Sequence, residues 1–277
     1  MGATDRPVDA GFRLRGQQVT RLETFVDAAF AFSLTLLVIF HDSVPGSMEE
    51  VRIALRRIPT FVACFVLIAM FWAAHNRWSR RFGLDDTRST VLSLSLVLAV
   101  LVYVYPLRMV VSQALSLFTG GWVPSEIGAV DVDPVLDAQT IFIVYSSGFG
   151  LLSGLLWRLN AHAWRCGAEL GLDALERHEL RGEIGMHRIM TATATCSVLL
   201  SIGVLSLPAG AKPPWLIGLP MWTYAVMGGL LPWYWARRNR ARPVEVVGTA
   251  AVPSTSRPTH DFPQVPGPPP APDDGPA

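Results

Sequence analysis

The chain has 277 residues, of which 51% are apolar and only 16% charged, with a mean hydropathy of +0.35 and a formal net charge of +1. A soluble domain carries about a quarter charged residues, so a water-facing surface is hard to build from this composition, and the near-zero charge offers no bulk attraction to nucleic acid. Three cysteines do not make a disulfide framework, and Cys64 and Cys196 lie inside apolar runs where a thiol acts as a small hydrophobe.

A helix crossing hydrocarbon needs about 20 mostly apolar residues. Residues 1–20 are rich in Arg and Gly without an apolar stretch, and read as a cytoplasmic segment with no cleaved signal peptide. The first span is expected over about 21–40. Its uncharged part is short, and it reaches full length only by starting at Arg21 and carrying Glu23 and Asp27. Thr20 and Glu23 have capping-box spacing, in which a hydroxyl and a carboxylate satisfy the first free amides of a helix. Five further spans follow at about 58–75, 89–108, 138–157, 188–211 and 213–236. Pro106 is expected to kink or end the third, and Arg108 to snorkel to the membrane border. Residues 158–188 alternate acids with bases and read as a short solvated helical linker. Beyond Arg242 lie ten of the chain's 21 prolines, so 243–277 reads as a disordered Pro-rich tail whose partner, if it has one, is unknown.

The expected architecture is therefore an all-α polytopic membrane protein with six transmembrane helices in residues 21–242. Orientation follows from basic residues, which are in excess in cytoplasmic loops. Alternate connections place 18 of the 23 Lys and Arg on the side of both termini, so both termini are expected in the cytoplasm and the acidic loop 120–137 outside. Trp72, Trp78, Trp157, Trp164, Trp233 and Trp235 lie near inner span ends, as an interfacial belt requires.

Polar residues at membrane depth are costly unless paired or functional. On a helical wheel of the first span, Phe25, Ala28, Phe32, Leu36 and Ile39 fall on one line with Thr35 at its edge, while Asp27 points toward neighbouring helices. The second span ends Phe71-Trp72-Ala73-Ala74-His75, which puts His75 at the same membrane face as Arg21 and Asp27. Spacing alone leaves both a structural and a functional role open for that group.

Arg21-x-x-x-Phe25-x-Asp27, followed by Thr35-Leu36-Leu37-Val38, resembles the first-helix signature of the transmembrane protein 175 family of potassium channels. Phe71-Trp72-x-x-His75 is similar to the ending of that family's second helix. Val26 stands where the family has Ser, and Asn76 where a second His often follows. The resemblance covers the first third of the chain by motif and the rest by topology. It implies a potassium-permeable cation channel, without a cofactor and with K+ as the permeant ion, built as a homotetramer in the bilayer of the cell membrane. The first helices would surround the axis, with Phe32 as the constriction, Phe25, Ala28, Thr35, Leu36 and Ile39 lining the pore, and a hydroxyl at Thr35 for a partly dehydrated cation. Arg21, Asp27, Trp72 and His75 would form a structural network at the inner mouth.

Other readings are a secondary transporter, which usually shows internal repeats or broken helices, and a non-conducting scaffold working through its tail. Neither a phosphate-binding Gly loop nor His-Glu-x-x-His nor a metal-spaced Cys pair occurs, so no enzyme is expected, and no nucleic-acid partner. Ser146-Ser147-Gly148-Phe149-Gly150 has the look of a carbonyl filter, but it lies inside an unbroken span, where Ser146, Gly150 and Gly154 make a small-residue packing face.

Overall fold

A computed structural model of the chain describes residues 8–9, 12–16, 18–39, 46–127, 133–208 and 213–243. The expected tail from 244 onward, the side chain of Ile39 and part of the acidic loop lie outside the described residues. A small antiparallel hairpin, β1 (Val8–Asp9) and β2 (Phe12–Arg13), precedes α1 (Arg21–Ile39). Then follow α2 (Met48–Arg56), α3 (Ile58–Phe82), α4 (Thr87–Phe118), α5 (Pro134–Arg165), α6 (Ala174–Ser206), the single turn α7 (Pro214–Ile217) and α8 (Leu219–Arg240). Four helical segments among the described residues are long and apolar enough to cross a membrane: Met48–Phe82, Thr87–Phe118, Val135–Arg165 and Ala174–Ser206. The chain is a mostly helical, multi-pass membrane protein.

The helices run longer than hydropathy alone implies. At 1.5 Å per residue α5 spans about 48 Å, against a hydrocarbon core of about 30 Å. The expected linker over 158–188 is therefore not a separate element: α5 continues to Arg165, α6 begins at Ala174, and a tight turn with Gly171 at φ 59° joins them. Charged residues stop the hydropathy signal but not the helix, because backbone hydrogen bonds continue into water. Asp173 and Glu176 close a capping box at the start of α6, and the Asp133 carboxylate accepts from the amides of Val135 and Leu136 at the start of α5. Nor does Pro106 break α4, which runs through it to Phe118. Within a membrane bundle, neighbouring helices and local adjustments accommodate the ring and the lost amide.

α5 and α6 pair most extensively, α4 lies against α5, α8 against α6, and α1 against α4 and α3. Small residues allow this. A Cβ at Gly150 would sit 2.9 Å from that of Ala194, Gly154 faces Thr191, and the Ser146 hydroxyl donates to Ser197 at 2.9 Å. The 146–154 segment is thus a helix-packing face, as small residues at four-residue spacing produce when lipid removes the hydrophobic drive between helices. Leu96, Leu152, Leu156 and Leu159 fill the core beside it.

The tryptophans divide. Arg181 stacks over Trp164 at 4.7 Å, Arg188 over Trp157 at 5.7 Å and Arg237 over Trp233 at 5.6 Å, pairings suited to an interfacial belt. Trp78 instead is buried beside His75 and Phe82, and belongs to the core.

Candidate pore-lining helix

α1 has two faces of opposite character. Glu23, Val26, Phe30, Ser33 and Leu37 are buried against α3 and α4, at spacings of three and four. Arg21, Thr24, Phe25, Ala28, Ala31, Phe32 and Thr35 form the opposite face, all exposed, with Phe25 and Phe32 each at 55%. Nothing in the rest of the described chain covers these two phenylalanines. Leu36 lies at the margin of the stripe, half-buried against the core. The Thr35 hydroxyl donates to the Phe32 carbonyl at 2.7 Å. Its hydrogen therefore points along the backbone, and its oxygen lone pairs remain for a group outside the helix.

The polar residues at the Arg21 end separate into two pairs. Trp72 Nε1 donates to Asp27 Oδ1 at 2.8 Å, tying α1 to α3. His75, buried, meets the Ser93 hydroxyl at 2.9 Å and ties α3 to α4. Arg21 is exposed on the same stripe as Phe25 and makes no ion pair among the described residues. Glu23 is 8% exposed, and together with Thr20, His75 and Ser93 it borders a crevice of about 20 Å³, room for one water. Thr20 Oγ1 accepts from the Glu23 amide at 3.1 Å, which forms the Thr half of the expected capping box.

Two supports were not anticipated. Arg108 is 6% exposed and does not snorkel: its guanidinium donates to Glu126 at 2.7 Å and to the carbonyl of Leu37 at 3.1 Å. It grips the far half of α1 while the Ser112 hydroxyl accepts from the Glu126 amide. Proximity of Glu126 to Arg108, 18 positions apart, depends on the turn after α4, which sequence spacing does not reveal.

The second support is the amino-terminal arm. The amides of Arg15 and Gly16 donate to the carbonyl of Arg80 at 3.1 and 3.0 Å, covering the end of α3. α3 closes there on Gly83 at φ 58°, where a Cβ would come within 2.9 Å of the Gly16 nitrogen, so glycine serves both the left-handed turn and the close approach of the arm. Phe12 is 1% exposed and meets Phe82 edge-on at 5.4 Å, with Arg81 over its ring at 4.9 Å. Arg13 and Arg15 both bind Glu176, which is fully buried; the Arg15 pair is 2.8 Å and the Arg13 pair 2.9 Å. Burial pushes the Glu176 carboxyl up, but hydrogen bonds from Arg15, then Arg13, then the Asp173 amide outweigh it and hold the group at about 2.

Comparison with known proteins agrees with the motifs. The family model described as endosomal/lysosomal potassium channel TMEM175 matches residues 21–106, from the start of α1 to Pro106 in α4. A protein named potassium channel from Marivirga tractuosa is 26% identical over 201 residues, covering 70% of this chain and 79% of that one. A solved structure of a variant of the potassium channel MtTMEM175, bound to a nanobody-MBP fusion, superposes with a TM-score of 0.72 at 22% identity, covering 84% of this chain and 99% of that one. In motif, in matched sequence and in fold, the family this chain resembles is that of the TMEM175 channels.

Proposed function

We propose that the protein is a potassium-permeable cation channel of the cell membrane in which the first helices of a homotetramer line the pore. The observation that carries this is the uncovered stripe Phe25, Ala28, Phe32 and Thr35 on α1. Lipid alone would satisfy the two outward phenylalanines, but the same face also carries exposed Arg21, Thr24 and Thr35, and polar groups along a membrane-depth stripe fit a water-filled axis better than hydrocarbon. Phe32 is the constriction, Thr35 offers its oxygen to the ion one turn beyond, and Leu36 and Ile39 flank the widening. Asp27 with Trp72, His75 with Ser93, and Arg21 brace the inner mouth. Two features support α1 and α8 as spans beside the four longer segments. α1 is about 28 Å long, close to the hydrocarbon thickness, and the arginine-rich end of α8 fits a cytoplasmic carboxyl terminus. The naming of the Marivirga protein as a potassium channel supports K+ as the ion.

The test is the reversal potential of purified protein in a planar bilayer under opposed K+ and Na+ gradients, with Phe32→Ala beside the wild type. A potassium-favouring potential and larger currents in the variant are expected. Silence from both in folded, oligomeric protein would sink the channel, and equal currents in the two would remove Phe32 from the constriction.

A further inference from the structure

Away from α1, a cleft of about 400 Å³ opens between α4, α5 and α8, within the range of small-molecule sites. Its walls are apolar, with Ala114 on α4 and Ile141 and Phe142 on α5. Its floor is made by Tyr145 and Tyr224, whose rings meet edge-on at 5.3 Å. Tyr224 donates its hydroxyl to Ser146 at 2.8 Å, so that phenol is already satisfied inside the bundle and adds only ring surface to the floor. The polar rim lies toward the start of α5, where Asp137 and Gln113 border the same cleft. From Asp137 to Tyr145 is eight residues, about 12 Å along a helix, close to the depth of one hydrocarbon leaflet.

The rim has a definite sign. Among the described residues no basic side chain lines the cleft, and Arg108 on the same helix as Gln113 is held by Glu126 and the Leu37 carbonyl. The Asp137 carboxylate has no ion pair or hydrogen bond among the described residues. Gln113 Oε1 accepts from Ser125 at 2.6 Å, which leaves its amide NH2 as a donor at the rim. A carboxylate that wants a cation, an amide that can serve a phosphodiester oxygen, and an apolar shaft below them match one chemistry. We propose that this cleft binds one acyl chain of an amine-headed phospholipid of the phosphatidylethanolamine class, with its ammonium at Asp137. An anionic headgroup is repelled at the same rim.

The experiment is native mass spectrometry of the full-length oligomer released from micelles containing equal amounts of phosphatidylethanolamine and phosphatidylglycerol with matched chains. Wild type is expected to retain one phosphatidylethanolamine per chain beyond the lipid common to all variants, which removes lipid held at the arginine-rich ends. Ala114→Phe fills the shaft and loses that molecule, and Ile141→Trp does the same from the opposite wall should the first variant fail to fold. Asp137→Asn keeps a chain in the shaft but lowers the preference for the amine over the glycerol headgroup by about tenfold, the loss of one charge-assisted contact. Unchanged retention in the filled variants, or an unchanged preference in Asp137→Asn, overturns the assignment. So does dissociation of the oligomer by Ala114→Phe, which would make the cleft a contact between copies of the chain.

Discussion

Glu176 gives the sharpest test of how the arm is held. Its carboxylate is fully buried and accepts from the amide and guanidinium of Arg13, two nitrogens of Arg15 and the amide of Asp173, at 2.8 to 3.3 Å. Glu176→Ala leaves the Arg15 guanidinium, itself only 6% exposed, buried without an anion. Breaking such a pair costs about 3–5 kcal/mol, because a charge that water no longer solvates loses its partner. Glu176→Gln preserves volume and one acceptor oxygen and should cost less, about 1.5–3 kcal/mol for hydrogen bonds to a charged group. Unfolding of the purified protein in micelles, followed by denaturant or heat, reads both. Arg15→Met combined with Glu176→Leu should recover much of the loss, since removing both charges leaves neither orphaned. The pH dependence has a fixed sign. A carboxyl held at about 2 contributes fully above the ordinary glutamate value of about 4.3, and that contribution is lost as pH falls from there toward 2. Wild type should thus weaken through this window while Glu176→Gln stays flatter. A cost below about 1 kcal/mol for Glu176→Ala, or identical acid profiles in wild type and Glu176→Gln, would refute the buried clamp.

Other substitutions probe the bundle and the braces. Gly148→Ala places a Cβ 2.1 Å from the ring of buried Tyr103 and should cost about 1–3 kcal/mol by overpacking. Gly185→Ala meets the hydroxyl of half-exposed Tyr234 at 1.9 Å and its ring carbon Cζ at 2.7 Å, but that side chain can swing outward where Tyr103 cannot, so it should cost less, and paired melts of the two variants decide. Arg108→Ala strips Glu126 and the Leu37 carbonyl of their donor and should destabilise by about 3 kcal/mol, with faster amide exchange at the Leu37 end of α1 as the local signature. Trp72→Phe removes the donor to Asp27 at a cost of about 1 kcal/mol in melting experiments, and on the proposed channel function it should also alter single-channel open probability.

How much the sequence disclosed depended on the range of the interaction. The stripe through Phe25, Ala28 and Phe32 is local periodicity, and it emerges as the uncovered face of α1 because 3.6 residues per turn is all the information needed. The shared level of Asp27, Trp72 and His75 was legible from span ends, but not its division: Asp27 pairs with Trp72, whereas His75 turns to Ser93, a partner from a third helix that spacing within two helices does not contain. Arg13 and Glu176 are 163 positions apart, and neither stands out in its own surroundings, the one in a Gly-rich segment and the other in a run of alternating charges. A capping-box reading of Asp173 and Glu176 was the one available signal, and it would have marked where α6 begins. Arg108 misled for the opposite reason: a lone arginine beside a proline suggests a helix end, whereas its partners come from a turn and a backbone carbonyl.

The arm sets a limit on how far the Arg21 end of α1 can travel. Gly16 is fastened to the carbonyl of Arg80, and α1 begins at Arg21, five residues later. Fully extended, that interval reaches about 17 Å. It is a leash on the helix that would line the pore: a tilt or rotation of several ångströms fits within it, while the hydrogen bond from Trp72 to Asp27, and not the leash, holds α1 against α3. Opening would then be a swing about a tethered end, with its amplitude written into the number of residues between two anchors.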